Sequence, residues 1–279
     1  MLAMHSSATT RPSPLIGVDF SSAPTRRKPI ILAQGLRQGQ VLRLDRLLNF
    51  DTLPSLGVFL AQPEPWLGGF DFPFGLPREL VLALDWPQDW SALMRHYLQL
   101  SREEIRATFS AFCNSRPVGT KFAHRACDIP AGSSSSMKWV NPPVAFMLHA
   151  GVPLLLQAGA ELPGLLRGDP ARVALEAYPG MLARELLGRR SYKSDDRAKQ
   201  TPDRLIARKD LIDALEQGRS RLGLRLKLSH AQRESLVDDA SGDRLDAVLC
   251  LLQAAWAQTQ PGYGLPATMD SLEGWIVSA

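Results

Sequence analysis

Cysteine is scarce. Cys113, Cys127 and Cys250 are odd in number and widely spaced, which excludes a disulfide framework and any C-x-x-C zinc pattern. Three unpaired thiols fit a reducing compartment, so the cytoplasm is the expected location. The five histidines are scattered and give no H-x-x-x-H zinc-ligand pair. No apolar run approaches the ~18 residues of a membrane span, so no membrane partner is expected. The opening MLAMHSSATTRPSP has no apolar h-region and reads as a disordered leader over residues 1–14 rather than a secretory signal. Internal repeats are absent, as is a linker that would separate a second core. Residues 15–279 therefore read as one domain.

What is present is ordinary in bulk and uneven in detail. Of 279 residues, 45% are hydrophobic and 22% charged, the balance of a globular chain able to bury a sizeable core. Net charge is +4, yet residues 184–233 carry fourteen Lys or Arg against seven Asp or Glu. That local +7 leaves about −3 for the remainder. Such a stretch either lies along a polyanion or forms a solvated helix laced with i,i+4 ion pairs.

Along the chain, residues 15–20 alternate like a strand, and IGVDFSSAP breaks that rhythm at Ser21, Ser22 and Pro24. PIILAQGLRQGQVLRLDRL reads as a hairpin of two strands about a glycine turn. A short helix follows near Asp51, then a strand, WLGGFDFPFGLP, broken at Pro73. Residues 73–171 read as a long helix- and loop-rich insertion. Within it Ser101 and Glu104 form a capping-box pattern, and GTKFAHRACDIPAGSSSSMKWVNPP forms a long loop. VAFMLHAGVPLLLQAG suggests a buried helix, RVALEAYPG another strand, and residues 181–188 and 202–217 two more helices. SGDRLDAVLCLLQAAWAQ is apolar nearly all round and is expected to lie against the sheet.

Five acids share one placement. Asp19, Asp71 and Glu176 fall at strand ends, and Asp243 and Asp246 at the start of the last helix. Strand ends of an α/β sheet converge on one edge, where ligands bind. Carboxylates gathered there repel one another, and hard divalent cations with oxygen ligands resolve the repulsion, which points to Mg²⁺ or Mn²⁺. Two such ions would activate water and stabilise the leaving oxygen in phosphodiester cleavage. Each acid also has a plainer reading: a Ser21–Ser22 turn for Asp19, an Asp turn for Asp71, a cap or dipole role for Asp243 and Asp246.

The order strand-Asp, hairpin, helix, strand-Asp, strand and helix with D-x-x-D resembles the ribonuclease H-like superfamily, Holliday-junction resolvases among them. GVDFSSAP, GFDFPFGLP, LEAYPG, RRSYKSDD, GDRLDAVLCLLQAA and the closing DSLEGWIV are similar to a family of predicted nucleases with that fold, domain of unknown function 429, over residues 15–277. The resemblance implies an α/β fold: a mixed sheet of five strands flanked by helices, with the insertion between its fourth and fifth strands. It further implies a two-metal nuclease site with Asp19, Asp71, Asp243 and Asp246 as metal ligands. Glu176 matches the family's E-x-x-P motif and joins them as a catalytic candidate.

The expected substrate is nucleic acid or another phosphodiester, with Lys121, Arg125, Lys138 and Lys193 as candidate contacts to phosphate. His124 reads as a loop or packing histidine, Trp66, Trp139 and Tyr178 as core or loop anchors. Two other classes stay open. One is a non-catalytic nucleic-acid-binding or scaffold protein that keeps the acids as remnants. The other is an actin- or sugar-kinase-like phosphotransferase, against which stand DFSSAP in place of a glycine-rich phosphate loop and the lack of duplication.

Overall fold

The computed structural model describes residues 14–279; the expectation for residues 1–13 lies outside the described residues. In chain order the elements are β1 (Leu15–Asp19), β2 (Ile30–Gln38), β3 (Val41–Phe50), α1 (Leu53–Leu60), β4 (Trp66–Phe70), α2 (Arg78–Ala83), α3 (Trp90–Gln99), α4 (Arg102–Asn114), α5 (Asp128–Ala131) and α6 (Val144–Gln157). There follow β5 (Ala160–Glu161), β6 (Asp169–Glu176), α7 (Pro179–Leu187), α8 (Pro202–Glu216), β7 (Arg225–Lys227), α9 (His230–Asp238) and α10 (Asp243–Ala257). Among the described residues no helix is long and apolar enough to cross a membrane.

The fold is α/β, with helices on both faces of a mixed sheet. Among the described residues the sheet has seven strands, in the order β5-β6-β4-β1-β2-β3-β7, rather than the five expected. The two extra strands are β5 and β7, of two and three residues at the sheet's edges. They are too short to show an alternating pattern and exist because a neighbouring strand offers a ladder to join. β1, β4, β6 and β5 run parallel, whereas β2 is antiparallel to β1 and β3.

Local chemistry accounts for the element ends. Ser101 Oγ accepts from the Glu104 amide at 3.2 Å while Glu104 Oε2 accepts from the Ser101 amide at 2.7 Å, so both donors at the start of α4 are satisfied. Strand pleating divides the core into two layers. Ile16, Val18, Ile30 and Phe70 face a layer built with α1, α3, α4 and α6. Leu15, Leu67, Val173 and Leu175 face a second layer built with α7, α8, α9 and α10. Residues 73–171 contribute Tyr97, Phe109 and Leu148 to the first layer, continuous with the strand residues there.

α10 lies directly on the middle of the sheet because two glycines let it. A methyl group at Gly17 would collide with backbone atoms of Ala247 and Leu251, and one at Gly69 with the carbonyl of Cys250. Only residues without Cβ on the helix-facing side of β1 and β4 allow backbone to approach so closely.

Candidate active site

Register places the acids. Val18 pairs with Phe70 across the parallel β1–β4 ladder, and Phe70 pairs with Glu176 across β4–β6. The ladder runs on through Asp71 N to Val18 O at 2.9 Å and Ala177 N to Phe70 O at 2.9 Å. Asp19 and Asp71 therefore end adjacent strands at the same edge. Both follow, at period two, the glycines that face α10, so both carboxylates lie on the α10 side. α10 starts at Gly242, whose φ of 78° gives the left-handed turn that aims its first residues at this edge. Asp243 and Asp246 occupy its first turn, and Asp246 is fully buried.

The electrostatics record the convergence. Burial is the largest influence on Asp19, and with Asp246, Asp243 and Asp71 it pushes that carboxyl well above the ordinary range, against a smaller opposing pull from Lys193. Asp71 is pushed up to about 7 by burial, then by Asp246, with Lys193 opposing and Glu176 adding. Asp243 is raised by burial, with Lys28 the main opposing charge. Asp19, Asp71 and Asp243 thus each feel Asp246, and for these three burial and repulsion outweigh the few cations nearby.

Lys193 sits on this cluster. The segment joining α7 to α8 is drawn in where Ser194 N donates to Ala240 O at 3.0 Å. From α8 the buried Arg208 donates to Tyr192 O at 2.8 Å and Val237 O at 2.7 Å. So held, Tyr192 donates its hydroxyl to Asp246 Oδ1 and Lys193 its ammonium to Oδ2. Burial alone would lower Lys193, but Asp246, Tyr192 and Asp19 hold its ammonium well above the usual lysine range. The partnership of Tyr192 with Asp246 was missed in the sequence; its only trace is a lone aromatic inside RRSYKSDD.

Glu176 is placed differently. Ala174, two residues before it, faces the other core layer, and pleating turns Glu176 to that side, away from Asp19 and Asp71. Both its oxygens are taken: Oε1 by Arg125 at 2.6 Å, Oε2 by Arg125 at 2.7 Å and by the Phe74 amide at 2.9 Å. Arg125, a candidate phosphate contact, is buried and spends its guanidinium on Glu176, Asp128 and the Glu273 carbonyl. It is a strut inside the protein. Lys121 is exposed beside His124 and Arg116 in a shallow recess away from the acids. Lys138 borders neither that recess nor the main cavity. Trp66 is a core anchor, its indole donating to Leu60 O at 3.1 Å, and Trp139 packs on Phe122. The basic stretch 184–233 is largely tied up with its own acids and carbonyls, as in Arg190–Asp210, Arg221–Glu185 and Arg233–Asp213.

A cavity of about 450 Å³ opens beside Asp71 and Lys193. Tyr178, Arg184 and Tyr192 line it, together with residues from the 133–147 stretch. All-oxygen carboxylate donors suit a hard divalent cation. Among the described residues, no group of three or more His, Cys, Asp or Glu is arranged as a ready ligand set; here Lys193 supplies the counter-charge to Asp246. No protein-family model, curated protein or solved structure matches this chain.

Proposed function

We propose that the chain is a metal-dependent phosphodiesterase of ribonuclease H-like type, with residues 73–171 as an elaboration between two strands of that fold. One observation supports the reading: Asp19 and Asp71 end adjacent parallel strands, Asp243 and Asp246 open the helix packed on them, and Asp246 helps push up the other three carboxyls, beside a cavity. Asp19, Asp71, Asp243 and Asp246 would hold Mg²⁺ or Mn²⁺, which supplies the charge that makes water nucleophilic at neutral pH and steadies the leaving oxygen.

The protein's own groups do the rest. Lys193, half-exposed at the cavity's edge, presents its ammonium where a phosphate oxygen arrives, exchanging Asp246 for substrate. Tyr192 holds Oδ1 of Asp246 and so sets the direction of that carboxylate. Arg208 fixes the Tyr192–Lys193 segment from behind. In the overall reaction the water oxygen bonds to phosphorus, a P–O ester bond breaks, and the departing oxygen gains a proton.

The Lys193–Asp246 pair is also what favours a second reading, a binding protein whose acids are neutralised by its own lysine. Melting curves separate the two. Millimolar Mn²⁺ is expected to raise the melting temperature of the wild type and not that of Asp19→Asn, since a ligand that binds only the folded state stabilises by mass action. The wild type is expected to hydrolyse a short single-stranded oligonucleotide only when Mn²⁺ or Mg²⁺ is added. No melting shift and no hydrolysis would leave the binding-protein reading in possession.

A further inference from the structure

We infer that the cavity beside Asp71 and Lys193 is a nucleoside pocket. It receives one base-and-sugar unit attached to the phosphate that reacts, so the substrate class is a dinucleotide-sized phosphodiester or a single-stranded end, not an intact duplex. The phosphate's position rests on the phosphodiesterase reading; the character of the walls does not.

Size comes first. About 450 Å³ falls within the roughly 300–1,000 Å³ of small-molecule pockets, enough for one nucleoside. Chemistry comes second. One end is polar, where Asp71 and Lys193 meet, while Pro73, Pro142, Val144, Met147 and Ile276 make apolar walls. A sugar-phosphate alone would leave those walls wet, whereas a base is a flat apolar disc that covers them. Tyr178 borders the cavity with the Arg184 guanidinium over one side of its ring, an aromatic–cation pair of the kind beside which unstacked bases pack.

Charge comes third and argues against a polyanion lying through the cavity. A backbone groove needs cations available to several successive phosphates. Here Arg125 is spent on Glu176 and Asp128. Arg184 is braced 5.9 Å above the Tyr178 ring and donates to Gly132 O at 2.9 Å. Arg190 is paired with Asp210. Lys193 is the cavity cation that faces the carboxylates, which matches one phosphate with one nucleoside attached.

Calorimetric titration with adenosine 5′-monophosphate and with ribose 5-phosphate tests this directly. The nucleotide is expected to bind about tenfold more tightly, the worth of one buried base face. Ser134→Trp, on the cavity wall and outside the four-acid cluster, is expected to weaken the nucleotide about tenfold and leave the melting temperature and its Mn²⁺ shift unchanged. Should Ser134→Trp fail to fold, Met147→Ala removes an apolar wall instead and is expected to weaken the nucleotide several-fold. Equal affinities for the two phosphates, or nucleotide binding indifferent to a folded wall variant, would overturn the pocket. The two readings fail separately. A nucleotide preference with no Mn²⁺ shift keeps the pocket and removes the phosphodiesterase. A Mn²⁺ shift with equal affinities does the reverse.

Discussion

Lys193 donates its ammonium to Oδ2 of Asp246, a residue 53 positions further along the chain. The pair is lopsided: the Asp246 side chain is fully buried, the Lys193 side chain 42% exposed. A buried carboxylate among three other acids is tolerable only with such a partner. The same lysine borders the cavity, so the group that counters the buried Asp246 is also a group that would meet the phosphate of the proposed substrate.

Lys193→Met should therefore destabilise the protein and impair substrate binding together. Removing one partner of a fully buried pair costs roughly 3–5 kcal/mol, and the exposure of Lys193 reduces this to about 1–3 kcal/mol. Urea denaturation at neutral pH measures the loss. Lys193→Arg keeps a cation beside Asp246 and should recover most of the deficit; an equal deficit in Lys193→Arg would show that the ion pair is not its source.

Asp71 sets a pH dependence whose sign follows from its direction. Its carboxyl titrates near 4 in the unfolded chain and is pushed up to about 7 in the fold. Between those values the folded state holds the proton more tightly, so stability falls as pH rises from about 4 to about 7. Asp19 and Asp243 act in the same direction. The metal-free protein should thus melt lower at pH 8 than at pH 5. Asp71→Asn should flatten that slope and melt a few degrees above the wild type at pH 8. Mn²⁺ competes with those protons, so its affinity should climb over the same range. A pH-independent melting temperature would mean that the acids do not share a field.

The convergence of Asp19 and Asp71 was legible because both signals are local: an apolar approach, an acid, and a turn, in strands whose parallel register puts like positions side by side. Glu176 carried the same signal, yet its pleat turns it to the opposite face, a one-residue matter that no composition or spacing reveals. The D-x-x-D of α10 was readable as two acids on one face. The clamp that Tyr192 and Lys193 make on Asp246 was not, since it depends on Arg208 pinning a loop from a third element. Arg125 looked like a loop cation because its partners, Glu176 and the Glu273 carbonyl, lie 51 and 148 residues away. β5 and β7 were invisible for want of length.

Arg125 provides a contrast with Lys193. Arg125→Met leaves Glu176 and Asp128 buried without their cation and should cost about 3–5 kcal/mol in urea denaturation. Because it is a strut and not a substrate contact, the salt dependence of substrate binding by the folded fraction should keep its slope. A slope flattened by about one unit would instead put Arg125 on a phosphate.

Gly17 carries the last prediction, because it connects packing to chemistry. Its missing Cβ admits the backbone of Ala247, the residue after Asp246, and of Leu251 about a turn further along α10. Gly17→Ala must push the helix outward, and overpacking against backbone that cannot rotate away should cost about 3 kcal/mol. Gly39→Ala is the control. Gly39 sits in the β2–β3 turn at φ 60° with open space around it, so alanine there pays only the left-handed backbone strain of about 1–2 kcal/mol. The two variants differ in what they should do to metal. Gly39→Ala leaves α10 in place and should keep the full Mn²⁺ melting shift from its lower baseline. Gly17→Ala moves Asp243 and Asp246 away from Asp19 and Asp71 and should lose most of that shift even where it remains folded by circular dichroism. If the folded Gly17→Ala protein kept the whole shift, the acids of α10 would not belong to the same metal-binding group as those of the strands.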